Sequence, residues 1–309
     1  MRADTFHFKA EDTQDLFVYC WQPDEGQAPK AIVHIAHGMA EHAARYARFA
    51  EVLTAAGYVV YANDHRGHGR TAKPDELGHL GGPGAFGRCV QDIQQLIVHE
   101  KALHPGLPAF LFAHSMGSFF AQELIIDSGS ALAGVVLSGS NGKPNLLASA
   151  GRAVARAERA RLGARGKSKL LTTLSFEAFN KQFKPNRTEF DWLSRDDAEV
   201  DKYVADPHCG YLVTTQTWIE ILDGTAEISK PERQARIPKD LPVYIFAGDR
   251  DPVSDGAKNL GQLVSAYAGA GLRDVSHRFY PGGRHEMLNE KNRDVVMRDV
   301  VAWLDSRAR

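Results

Sequence analysis

The amino-acid sequence predicts an α/β protein, a mostly parallel central sheet with helices on both faces. Three observations carry that expectation. Short apolar runs of strand length recur and end in turn residues. The segments between them repeat apolar residues at helical spacing. The runs are also apolar on both faces, as strands covered by helices on each side must be. The chain has 309 residues, 43% hydrophobic and 24% charged. That is enough for one large domain, or for one domain carrying an insertion.

Taken in order, the first thirty residues stand apart. FHFKAED and LFVYCWQP read as two strands joined by a turn, an antiparallel entry to the sheet. The buried strands follow at 31–38, 58–64, 109–115, 133–139, 243–249 and 276–282. Tyr46, Phe49, Ala50 and Leu53 fall on one helical face, and Gly57 is placed to end that helix. Val90, Ile93 and Ile97 mark a second helix, and Val296, Val300, Trp303 and Leu304 mark the last. From 141 to 235 the strand–helix rhythm stops. This stretch reads as a helical cap inserted into a core made of 1–140 and 236–309. Residues 152–169 hold seven basic groups against one acidic, Glu158.

Composition excludes several classes. A net charge of -1 gives no field for nucleic acid. Cys20, Cys89 and Cys209 are scattered and odd in number, which speaks against a disulfide framework and for a reducing compartment. The N-terminus is too polar for a signal peptide, and no apolar run approaches membrane-spanning length. A cytoplasmic protein, with peripheral contact at membranes left open, is the expectation. Arg152, Arg156, Arg159, Lys167 and Lys169 could meet anionic headgroups while Leu162, Leu170 and Leu171 dip in. A solvated helical face is the favoured reading of that stretch.

The chemistry centres on FLFAHSMGSFF, residues 110–120. It approaches G-x-S-x-G, with Ala113 at the first glycine and Gly117 at the second. Ser115 falls at a strand-to-helix junction, where a sharp turn presents Oγ at the C-terminal edge of the sheet. A serine hydroxyl needs a base, an acid to orient that base, and donors for an oxyanion. The Met116 N–H, at a helix N-terminus, and the Met39 N–H, beyond His37-Gly38, are candidate donors. VYIFAGDRDPVSDG offers Asp249, Asp251 and Asp255, and loop physics alone does not choose among them. RFYPGGRHEML places His285 after the last strand. Serine, aspartate and histidine thus occur in the order of an α/β-hydrolase.

Competing motifs are weaker. Gly82–Gly87 formally matches G-x-G-x-x-G, but no strand precedes it and Pro83 sits in the turn. His34 with His37, or His65 with His68, could ligate a metal, yet no H-E-x-x-H accompanies them. The aspartates after 248 lack the acid and glycine of a calcium loop. No metal or organic cofactor is expected.

The stretches HGMAEHAARYARFAEVLTAAGYVVYANDHRGHGRT (37–71), AHSMGS (113–118), FAGDRDPVSD (246–255) and YPGGRHEMLNE (280–290) resemble the α/β-hydrolase superfamily, and within it the monoacylglycerol lipase and lysophospholipase branch of serine hydrolases. The resemblance spans most of the chain outside 141–235. It implies Ser115 as nucleophile, His285 as base, Met39 and Met116 as oxyanion donors, and Asp251 as the acid, with Asp249 its main competitor. It also implies that Asp64 and Arg66 tie loops together beneath the site, and that the insertion is a lid over an acyl pocket. The substrate it implies is a lipid ester. The alternatives are a general esterase on short-chain or xenobiotic esters, and a binding protein that has lost its chemistry. Oligomeric state is left open.

Overall fold

The computed structural model describes residues 1–142 and 146–308, with backbone alone for 146–149. Residues 143–145, at the start of the expected cap, and residue 309 lie outside the described residues. Eight strands form one sheet in the order β1-β2-β4-β3-β5-β6-β7-β8. They are β1 (Arg2–Lys9), β2 (Asp15–Gln22), β3 (Ala31–Ala36), β4 (Tyr58–Asn63), β5 (Ala109–His114), β6 (Gly134–Ser138), β7 (Val243–Gly248) and β8 (Val275–Tyr280). The β2 strand runs antiparallel to both β1 and β4. All pairings from β4 to β8 are parallel. This is the α/β-hydrolase fold, and its parallel strands bring the loops after β3, β5, β7 and β8 to one edge.

Two apolar layers sandwich the sheet. Side chains alternate along each strand, so Ile32, Leu111 and Ala113 face one layer while Val33, Ile35, Phe110 and Phe112 face the other. The first layer packs under α2 (Ala85–Leu103), α3 (Met116–Ser128) and a later helix, Lys258–Gly269. The second packs under α1 (Ala47–Ala55) and the C-terminal helix, Arg293–Asp305. Phe110 and Phe112 are essentially unexposed, and each such burial contributes about 2–3 kcal/mol. The β8 strand departs from the expected two-sided burial. It is the sheet's edge, and His277 and Arg278 face solvent.

Between β6 and β7 the described chain is mainly helical. It contains α4 (Leu146–Leu162), α5 (Asp197–Ala205) and α6 (Thr215–Ile228), with a further helical stretch over 169–183 between α4 and α5. The basic run is partly neutralised within this layer. Arg156 donates to both Asp223 carboxylate oxygens at 3.0 Å, and Arg161 clamps Glu158 at 2.8 Å. Leu171 is buried among Ala155, Val213 and Trp218, so it is not available to dip into lipid. Leu170 and Leu174 are exposed.

A polar seam joins this helical layer to the loop after β8. The Ser194 hydroxyl donates to the Asn289 carbonyl at 2.9 Å, Arg195 donates to Glu290 through its backbone N–H and Nε, and Arg284 donates to the Ser194 carbonyl at 3.0 Å. Arg293 pairs with Asp196 at 2.7 Å.

Candidate active site

Ser115 is the residue between β5 and α3. Its backbone sits at φ 50 and ψ -118. A non-glycine residue at such positive φ carries about 1–3 kcal/mol of strain. The surroundings impose it. The Ser115 N–H donates to the Ser138 carbonyl and the Ser118 N–H returns to the Ser115 carbonyl, both at 2.9 Å. Gly117 is the residue that allows α3 to start so close to β3. A Cβ there would lie 2.3 Å from the Ala36 carbonyl oxygen and 2.6 Å from that of His37. Ala113 is different. It pairs with Ala36 and Leu137 inside the sheet, and its methyl is part of the packed layer under α3.

The structure brings one of the three candidate aspartates to the histidine. His285 Nδ1 donates to Asp251 Oδ1 at 3.0 Å, and both side chains are buried. The same oxygen accepts the Val253 N–H at 2.9 Å, while Oδ2 is buried without a partner among the described residues. Asp249 instead accepts the Gly282 N–H at 2.7 Å in an exposed turn. Asp255 is exposed at positive φ. Two glycines let the loops close. A Cβ on Gly139 would press on the His285 ring at 3.0 Å, and one on Gly248 would overlap the Gly283 carbonyl at 2.0 Å.

The loop after β3 runs directly beside the serine. A Cβ on Gly38 would lie 3.2 Å from Ser115 Cβ. Two side chains hold this loop. His37 is buried, donates from Nδ1 to the Gly38 carbonyl at 2.8 Å, and accepts the His65 N–H on Nε2 at 2.9 Å. Glu41 accepts the Gly38 N–H at 2.6 Å and the Tyr46 hydroxyl at 2.9 Å. Arg45 bridges Glu41 to Glu286, the residue after the histidine, donating twice to Glu286 at 2.7 Å. The Met39 loop and the His285 loop are thus locked to each other by one guanidinium.

Electrostatics follow from this packing. Burial pushes the His285 imidazole down, but the Asp251 charge and hydrogen bond, with Glu286 and Glu41 beyond, outweigh it, and its pKa is raised above the ordinary value. His114, buried against His285, is pushed down to about 4 by burial and by its neighbour's charge, so it is neutral. Burial lifts Glu41 and Glu286, and Arg45 more than reverses this, so both carboxyls lie below their usual range.

A pocket of about 420 Å³, its open mouth included, is walled by Met39, Phe176, Phe190, Trp192 and Tyr203, with Ser115 and His285 on its floor. The aromatic wall comes from 141–235, where no motif marked it in sequence. Glu41 and Arg45 lay inside a stretch that drew attention for its pattern alone, and their partner Glu286 is 241 residues from Arg45.

The remaining motifs are engaged elsewhere. Asp64 accepts the Ala43 N–H at 2.8 Å and the Arg70 N–H at 2.7 Å, and Arg66 forks onto both Asp12 and Asp92. The glycine-rich turn and the first turn of α2 give the Gly84 and Phe86 N–H groups to Glu220, at 3.1 and 3.0 Å. His34 bonds Glu100 and Asn63, while the His37 ring packs against His65 and His68. Among the described residues, His42, Asp206 and Cys209 bring three metal-type donor atoms within 4.8 Å of one another. There His42 Nε2 already bonds Asp206 at 2.9 Å. No helix among the described residues is long and apolar enough to cross a membrane.

Known proteins share this architecture end to end. A monoacylglycerol lipase of Mycolicibacterium smegmatis is 30% identical over 294 residues, covering 93% of this chain and 91% of its own. The human monoglyceride lipase is 28% identical, covering 98% and 91%. Among solved structures, a thermostable carboxyl esterase from Bacillus coagulans, crystallised with glycerol, superposes with a TM-score of 0.91 at 25% identity over 100% of both chains. The family model described as serine aminopeptidase, S33 (Hydrolase_4) matches residues 27–292. With its eight-stranded sheet and that match across most of its length, the chain belongs to the Hydrolase_4 family of α/β-hydrolases.

Proposed function

We propose that this protein is a serine hydrolase that cleaves carboxylic esters of the monoacylglycerol or lysophospholipid type through an acyl-enzyme. The observation that carries the reading is the strained Ser115 turn set beside the buried Asp251–His285 pair on the floor of an aromatic pocket. The lipase names of the similar full-length proteins support the lipid-ester class.

In this reading His285 Nε2 takes the Ser115 proton as Oγ attacks the ester carbonyl. Asp251 holds the imidazole tautomer, with Nδ1–H directed to Oδ1, and stabilises the imidazolium. The Met39 and Met116 N–H groups receive the oxyanion, and losing one such donor typically raises the barrier by about 3–4 kcal/mol. The alcohol leaves with the proton from His285. Water then attacks the acyl carbonyl, His285 again takes and returns a proton, and the acid is released with Ser115 restored. Residues 141–235 act as a cap that covers the acyl pocket, while 1–140 and 236–309 form the catalytic core. Exposed Leu170 and Leu174, with Arg159, Lys167 and Lys169 nearby in the chain, give that cap a transient contact with lipid surfaces. Such a protein works in the cytoplasm or peripherally at membranes.

Ser115→Ala should abolish hydrolysis of p-nitrophenyl esters and labelling by a fluorophosphonate. Wild-type-like turnover in that variant would sink the assignment. A chain-length series of monoacylglycerols and simple esters measures the substrate class. A second reading, a general esterase on short-chain esters, is favoured by one observation: four bulky aromatic rings narrow the pocket. It predicts falling kcat/KM as the acyl chain lengthens, whereas the lipid reading predicts the reverse.

A further inference from the structure

We propose that Trp192 is a positioning residue for the general base: its indole face holds the His285 imidazole in place and stabilises the imidazolium that forms when Ser115 gives up its proton. The inference rests on the catalytic reading of Ser115, Asp251 and His285.

The Trp192 and His285 ring centroids are 5.0 Å apart, with 32° between planes. That is within the reach of a cation–π contact, and tryptophan has the strongest face for one. The His114 ring lies 4.7 Å from the same imidazole. His285 is only 2% exposed, so water contributes little to a charge formed there. The charged and titratable groups facing it are Asp251 after β7, Glu41 after β3, neighbouring Glu286 with Arg45 bound behind it, and neutral His114 at the end of β5. Asp251 serves the edge of the ring at Nδ1. Trp192 serves its face.

Trp192 is itself fixed. Its backbone N–H donates to Asn180 Oδ1 at 3.0 Å, and Phe176 stacks on its indole at 5.7 Å and 12°. Its carbonyl accepts the His285 N–H at 3.4 Å, and the next carbonyl, Leu193, accepts the Glu286 N–H at 2.8 Å. The indole Nε1 is buried without a hydrogen-bond partner among the described residues. A tryptophan placed for its polar edge would have that edge satisfied. This one is placed for its face.

The energetic logic is differential. An aromatic face attracts the imidazolium far more than the neutral imidazole, so the contact strengthens as the proton moves from Ser115 to His285. Binding of the ester gains little from it.

The test separates this from packing. Site-specific replacement of Trp192 with mono-, di- and trifluorinated tryptophan keeps the shape and weakens the face step by step. The expected result is a stepwise fall in kcat, unchanged KM, and an acid limb of the pH–rate profile moving to lower pH, because a less stabilised imidazolium loses its proton sooner. Trp192→Phe should retain most activity, and Trp192→Leu should lose about tenfold or more in kcat. A flat fluorination series would overturn the proposal even if Trp192→Leu were inactive. Fluorophosphonate labelling of the wild type, abolished by Ser115→Ala, reads the catalytic assignment separately.

Discussion

The two small residues flanking Ser115 should behave oppositely when exchanged. In Gly117→Ala the new methyl would meet the Ala36 carbonyl oxygen at 2.3 Å and the Ala36 carbonyl carbon at 2.7 Å. Both contacts are backbone atoms of the β3 end, with no flexible side chain to move aside. An ordinary contact needs roughly 1 Å more, so the start of α3 must retreat from β3 by about that distance. The retreat carries the Met116 N–H and Ser115 Oγ out of line. A misplacement of this size lowers kcat by about 10²-fold, and overpacking destabilises the fold by about 1–3 kcal/mol. Ala113→Gly removes a fully buried methyl and loosens a strand. That amounts to about 1–2 kcal/mol of stability, with kcat per folded molecule unchanged. Fluorophosphonate titration gives the active fraction, p-nitrophenyl ester hydrolysis gives kcat, and thermal unfolding gives stability. Normal kcat in Gly117→Ala, or a folded but inactive Ala113→Gly, would refute the reasoning.

Three further outcomes are expected. Because the raised His285 pKa keeps the base protonated to higher pH, the acid limb of kcat/KM should fall above the ordinary histidine value of 6.5. Asp251→Asn should lower kcat by about 10⁴-fold through the wrong tautomer and move that limb to lower pH, measurable by the same ester assay across pH. Arg45→Met leaves two buried carboxylates unpaired and should destabilise by about 3–5 kcal/mol at neutral pH, read by denaturant unfolding. Glu41 and Glu286 titrate below their unfolded values, so their contribution is present above the unfolded carboxyl pKa and disappears as pH falls through the folded ones. The gap between Arg45→Met and wild type should therefore narrow in acid.

Much of the sheet could be read from the sequence, because strands covered on both faces leave continuous apolar runs. The β8 strand was less legible. An edge strand needs only one well-covered face, and Ser276, His277 and Arg278 interrupt its run. The candidate nucleophile and base were visible because each stands in a turn with a distinctive local pattern. The aspartate was not separable by local physics: Asp249, Asp251 and Asp255 are equally good turn formers, and what distinguishes Asp251 is its burial against a ring 34 residues away. The Glu41–Arg45–Glu286 lock has the same origin. Glu41 and Arg45 look like a surface pair on one helical turn until the fold brings a third charge from the far end of the chain. The basic run after 151 was legible only as charge density, which does not reveal that Asp223 answers Arg156.

The polar seam between residues 191–196 and the loop after β8 sets a limit on recombination. Segments between β6 and β7 are natural places to graft a new pocket wall, since they leave β6 at the edge of the sheet that carries the site. Here the graft has a hidden third junction. Replacing 150–189 exchanges Phe176 and Asn180, both partners of Trp192, and leaves the seam itself whole. Carrying the exchange through Arg195 strands Glu290, which is fully buried and takes its charge partner from that arginine. Chimeras cut on the early side of Phe190 should fold with the seam intact, and keep Trp192 against His285 only if the graft supplies counterparts of Phe176 and Asn180. Those cut beyond it should need a matched Arg284–Arg293 loop from the same donor.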